Sequence, residues 1–125
     1  MYLIDTNIFL SVLLGQGKSE RCRRFLSDNR GSLHISDFSL HSIGVILFRN
    51  DKPGLFRKFV EDALPLLSVQ SLPLHLYKDI PDVSNRLGLD FDDAYQYLLA
   101  RYNRFGIVTM DADFQKTKDI KVISI

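Results

Sequence analysis

The chain predicts an α/β layer fold with a mostly parallel central sheet. Three observations carry that prediction. Short apolar runs of strand length alternate with longer segments of helical period from one end to the other. No Pro-, Gly- or Ser-rich linker, repeat or low-complexity stretch interrupts them, so one domain over residues 1–125 is expected. With 46% hydrophobic residues the chain can bury a sizeable core.

The elements follow in order. Residues 2–5 open as a strand, "YLI" and then Asp5. Asn7 is a candidate N-cap for the helix "IFLSVLL", which Gly15 and Gly17 stop. Ser19 is a candidate cap for a second helix, polar at Arg23, Arg24 and Asp28, apolar at Cys22, Phe25 and Leu26, ending near Gly31. "LHIS" is a short strand. Ser36 or Asp37 caps the apolar helix "FSLHSIGVILFRN". "DKPG" is a turn. "LFRKFVEDAL" is amphipathic, with Leu55, Phe56, Phe59, Val60 and Ala63 on one side, a face that suits either core or a dimer contact. Pro65 ends it, and "LLSVQ" is a strand. "LHLYKDI" and "DVSNRL" are helical pieces around Pro81 that end at Gly88. "DFDDAYQYLLARYNRF" is a helix with Asp90 or Asp92 at its start and Gly106 after it. "IVTM" is a strand, "DADFQ" a loop or short helical turn, and "KVISI" a terminal strand.

Composition narrows the function classes. The formal net charge of +1 says nothing about partners by itself. The basic residues nevertheless gather as Arg21, Arg23 and Arg24, as Arg49, Lys52, Arg57 and Lys58, and as Lys116, Lys118 and Lys121. No apolar run approaches the roughly 20 residues that cross a bilayer, and no signal-peptide pattern opens the chain. Cys22 is the single cysteine, which excludes an internal disulfide and suits a reducing cytoplasm. A P-loop, G-x-G-x-x-G, G-x-S-x-G, C-x-x-C and H-E-x-x-H are all absent.

In parallel sheets, ligands bind outside the carboxyl ends of the strands. Asp5 follows the first strand. Asp111 and Asp113 follow "IVTM". Asp92 and Asp93 start the helix that precedes that strand. Each acid alone has an ordinary reading as a turn, helix-start or loop residue. Together they deliver carboxylates from three segments to one sheet edge, where like charges raise one another's pKa. A helix N-terminus relieves only about 0.3–1 kcal/mol of that repulsion. A divalent cation relieves more, and hard oxygen ligands suit Mg²⁺ or Mn²⁺. Such an ion polarises a phosphoryl oxygen and lowers the pKa of water, which points to a phosphodiester substrate.

Four stretches, "LIDTN", "ISDFSLHSIGVIL", "LDFDDAYQYLLA" and "IVTMDADF", span nearly the whole chain in order. With them the sequence resembles the PIN-domain family, in its compact form found as the toxin of VapC-type toxin–antitoxin pairs. The resemblance implies a three-layer α/β/α sandwich, a homodimer, metal-dependent ribonuclease activity on RNA and an antitoxin protein as partner. Residue by residue, it makes Asp5, Asp93 and Asp111 the metal-binding acids and Asp113 a nearby acid assisting through water. Asn7 and Thr109 become the polar residues that orient those carboxylates. One position departs. Where the family has a glutamate five residues past a serine like Ser36, this chain has His41. An imidazole favours Zn²⁺ or Mn²⁺ over Mg²⁺, and Asp37, one turn earlier, is placed either to hold the ring or partly to replace the missing acid; the plain alternative for His41 is a helix histidine with no metal contact. His34 and His75 belong to no constellation.

Two other readings compete with the nuclease. A PIN-like domain of weakened catalysis that binds RNA or protein is favoured by His41 and opposed by the retained aspartates. A metal-dependent phosphatase on a related scaffold is the third.

Overall fold

A computed structural model describes residues 1–125. Five parallel strands form one sheet: β1 (Tyr2–Ile4), β2 (Leu33–Ser36), β3 (Ser68–Gln70), β4 (Gly106–Thr109) and β5 (Val122–Ser124), in the order β3-β2-β1-β4-β5. The sheet is thus wholly parallel. Its helices are α1 (Thr6–Leu14), α2 (Ser19–Asp28), α3 (Asp37–Arg49), α4 (Pro53–Lys58), α5 (Ile80–Leu87) and α6 (Phe91–Asn103). None is long and apolar enough to cross a membrane.

Strand alternation splits the core into two layers. Leu3 and Ile107 face the α5–α6 side, where they pack with Ala94, Leu98, Leu99 and Phe114. Ile4, Ile35 and Val108 face the other side, against Ile8, Cys22, Ile43 and Leu47 from α1, α2 and α3. The result is the expected α/β/α sandwich. Cys22 is a buried packing residue. His34 stacks on Phe105 at a centroid distance of 4.1 Å, and His75 is exposed. The three basic groups are exposed.

Several local expectations shift. Asp5, not Asn7, caps α1. Its extended backbone (φ −69°, ψ 151°) lets Oδ1 accept from the Thr6 amide at 2.8 Å. Lys18 precedes α2 without a side-chain cap, so Ser19 is already helical. Ser36 does cap α3, accepting from the Ser39 amide at 2.9 Å. Asp90 caps α6 by accepting from the Asp93 amide at 3.0 Å. The turn at "DKPG" is shorter than expected, because Pro53 starts α4, where its missing N–H leaves no helical bond unmade. The following segment, Phe59–Ala63, widens into a π-helical turn. Its apolar face is core: Phe59 is buried among Leu47, Phe9 and Ile8, with Leu55, Phe56 and Ala63 packed alongside. Gly15 and Gly88 end α1 and α5 at positive φ, as glycine permits. α6 ends earlier than Gly106, on Arg104 in the left-handed conformation (φ 59°).

Candidate metal centre

Strand order places the site. β1 sits at the middle of the sheet. The chain crosses from it to β2 on one side, while β4 fills the other. This reversal opens a crevice at the carboxyl ends of β1 and β4. Asp5 leaves the end of β1, held beside β4 by its amide bonding the Val108 carbonyl at 2.9 Å. Asp111 lies just beyond β4 and caps the short helical turn Ala112–Lys116. Asp90, Asp92 and Asp93 arrive on the first turn of α6. Together they line a cleft of about 250 Å³.

Hydrogen bonds fix the acids against each other. Thr109 is fully buried, and its Oγ1 donates to Asp5 Oδ2 at 2.7 Å while accepting from the Asp111 amide at 2.9 Å. Asp111 Oδ1 accepts from the Asp113 amide at 2.9 Å. One carboxylate oxygen from each of Asp93, Asp111 and Asp113 lies within 4.8 Å of the other two. Asp5 lies in the same cleft, where the Thr6 amide donates to its Oδ1 and the Thr109 hydroxyl to its Oδ2. Asp113 stands at the rim, exposed, with Lys116 at 3.8 Å.

Apart from Lys116 beside Asp113 at the rim, the acids lack compensating charge. No lysine or arginine lines the cleft. Burial pushes the Asp93 carboxyl up to about 7, helped by the negative charges of Asp90, Asp111, Asp5 and Asp113. Burial also raises Asp5. The Thr109 hydroxyl, the Thr6 amide and the Gln96 amide pull it back, and the Asp111 charge pushes it up. Asp92 is raised by burial and then by Asp90. A hard divalent cation among these oxygens would reverse all three shifts, and the donor set, oxygen alone, fits Mg²⁺ or Mn²⁺.

Two expected residues fall elsewhere. His41 is exposed on α3 and lines a separate groove of about 730 Å³ with Leu40, Gly44 and Phe48. The helix presents Phe38, Ser42 and Ile46 to the acid cleft, a stripe spaced by four residues, and position 41 lies off it. Asp37 does not hold the His41 ring. It accepts from Tyr95 Oη, Ser71 Oγ and the Phe38 amide. Asn7 lines the cleft but bonds no carboxylate. Its orienting role is taken by Thr6 and Thr109.

Other residues escaped the sequence. Thr6 Oγ1 and Gln96 Nε2 both donate to Ser39 Oγ at 2.8 Å, tying α1 and α6 to α3 behind the acids. Gln96 carried one readable signal: it follows Asp93 by three residues, a polar group on a buried helix face.

A family profile for the PIN domain matches residues 2–120. The chain belongs to the PIN-domain family. No curated protein sequence matches it. Several solved structures share the fold at low identity. A toxin–antitoxin complex from Klebsiella pneumoniae is 17% identical (TM-score 0.78, covering 96% of this chain and 95% of that one). FitAcB from Neisseria gonorrhoeae is 20% identical (TM-score 0.78, 98% and 96%). VapC20 from Mycobacterium tuberculosis, described as a sarcin–ricin-loop-cleaving toxin, is 15% identical (TM-score 0.81, 97% and 99%).

Proposed function

We propose that this PIN domain is a metal-dependent endoribonuclease that hydrolyses RNA phosphodiester bonds and serves as the toxin of a toxin–antitoxin pair. The observation carrying this reading is the convergence of Asp93, Asp111 and Asp113 oxygens beside Asp5 at the sheet's switch point, with no basic residue lining the cleft. Asp5, Asp93 and Asp111 would hold Mg²⁺ or Mn²⁺. Bound there, the ion would supply charge neutralisation of a phosphoryl oxygen and activation of water. Thr109 and Thr6 keep Asp5 oriented, and Asp113 accepts a proton from the attacking water at the rim. Water attacks phosphorus directly, the P–O bond to the leaving sugar oxygen breaks and that oxygen takes up a proton from solvent, with no covalent enzyme intermediate. The exposed basic groups contact the RNA backbone, so binding weakens as salt rises.

An antitoxin partner is supported by the complexes that relatives form, among them the Klebsiella pneumoniae pair. A homodimer belongs to the same reading and is checked by light scattering of the purified chain. The nuclease reading is tested by incubating total RNA with the protein and Mg²⁺ or Mn²⁺, beside Asp93→Asn, and mapping the cut ends. Metal-dependent cuts lost in the variant support it; equal cutting by both proteins refutes it.

One observation favours a second reading, a binding module with weakened catalysis: α3 brings Ser42, and no carboxylate, to the cleft. Tight Mn²⁺ binding by the wild type that Asp5→Asn loses would argue for the enzyme.

A further inference from the structure

Gln96 sits in the wall of the acid cleft and is 3% exposed. Its Nε2 donates to Ser39 Oγ at 2.8 Å, but its Oε1 has no hydrogen-bond partner. No other buried side-chain nitrogen or oxygen in the protein is left so. A buried acceptor without a donor is destabilising, and native structures hold few of them. Leucine at this position would remove that penalty and leave Ser39 Oγ its bond from Thr6 Oγ1 at 2.8 Å, while Asp5 would lose the least of its three donors, the Gln96 amide. The fold thus accounts for the amide nitrogen but does not account for its oxygen. A donor arriving from the cleft does.

Hard divalent cations keep several waters, and each water brings O–H donors. The carboxylates of Asp5, Asp90, Asp92, Asp93 and Asp111 already crowd the cleft with negative charge. A neutral carbonyl oxygen accepts from such a water without adding to that repulsion. It is also the only buried amide oxygen on the face of α6 that carries Asp93, and the facing helix α3 supplies just the Ser42 hydroxyl. The geometry points to Gln96 as a positioning residue whose Oε1 accepts a hydrogen bond from the water shell of the bound cation, where α3 offers no carboxylate. This inference rests on the reading of the cleft as a divalent-cation site.

The test is a calorimetric Mn²⁺ titration of the full chain as wild type, Gln96→Leu, Gln96→Glu and Asp93→Asn, with thermal melts of each in chelator. Gln96→Leu is expected to bind Mn²⁺ about tenfold or more weakly, while melting no lower than wild type in chelator. Gln96→Glu keeps the oxygen and is expected to bind at wild-type affinity or tighter. A residue that only packs would behave in the opposite way, with a lower melt in chelator and unchanged Mn²⁺ affinity, and that result overturns the assignment. If Gln96→Leu binds as wild type does while Asp93→Asn loses binding, Gln96 has no such role and the cation site stands. Absence of Mn²⁺ binding by the wild type overturns both. Should Gln96→Leu fail to fold, Gln96→Glu decides, and affinity below that of wild type refutes the proposal.

Discussion

Thr109 Oγ1 donates to Asp5 Oδ2 at 2.7 Å, joining the end of β4 to the residue that leaves β1. The same oxygen accepts from the Asp111 amide, so one hydroxyl sets the spacing of two acids that are far apart in sequence. Thr109→Val keeps the shape and removes the hydroxyl. It leaves Asp5 Oδ2 without its donor and the Asp111 amide without its acceptor. We expect a stability loss of about 1–3 kcal/mol in urea unfolding. Mn²⁺ affinity should fall by about tenfold or more. Unchanged affinity would separate Thr109 from the metal site.

Asp93 gives the metal-free protein a defined pH dependence. Its folded pKa, about 7, lies above the ordinary value of 3.8. Between those values the folded state binds more protons than the unfolded state, so stability falls as pH rises through this window. Below it both states are protonated and the penalty is absent. Above it both are ionised and the penalty is complete. The raised Asp5 and Asp92 act in the same direction. In chelator, unfolding free energy should decline from pH 5 to pH 7 by up to about 1.4 kcal/mol per pH unit for one such group. Asp93→Asn should flatten this slope and raise stability at pH 7.5. A wild type whose stability climbs across the same range would contradict the charge arrangement.

Divalent ions should invert that trend. A ligand bound only by the folded state stabilises it by about 2.7 kcal/mol at a concentration 100 times its Kd. Melting temperature should therefore rise with Mn²⁺, more at pH 7.5 than at pH 5.5, since protons compete for Asp93. Differential scanning calorimetry in Mn²⁺ and in EDTA measures both effects. Asp93→Asn should lose most of the gain.

Positions 41 and 42 make a paired control. Ser42 lines the cleft and His41 faces the neighbouring groove. Ser42→Glu should strengthen Mg²⁺ binding and destabilise the metal-free protein, because it adds a carboxylate to an uncompensated cluster. His41→Glu should change neither by more than about 0.5 kcal/mol, as expected for a surface site. A response at 41 but not at 42 would mean that α3 is rotated from the orientation described.

Much of this was readable in the linear chain. Apolar runs such as "YLI" and "IVT" fall in buried parallel strands because side chains on both faces must be covered. Asp5, Asp92, Asp93, Asp111 and Asp113 are legible as a group because acids follow strands or open helices at positions that a parallel sheet sends to one edge, whereas singling out Asp93 over Asp92 rests on the family resemblance. Ser36 and Asp90 announced their helices through capping chemistry, which is local. At α1 the sequence offers Asn7 as the cap and the structure uses Asp5, because the outcome depends on where β1 ends.

The sequence by itself determined the layered architecture and the identity of the acids, because hydrophobic period and strand-end placement are properties of short segments. Tertiary structure alone decided which face of α3 meets the cleft. A one-residue step turns a helix by about 100°, and only packing against α1 and α6 selects Ser42 over His41. It also decided that Asp5 is held by Thr109, 104 residues away, and that Gln96 stands behind the acids with an unpaired oxygen. These are contacts between distant segments, and no local pattern encodes the rotation or register that makes them.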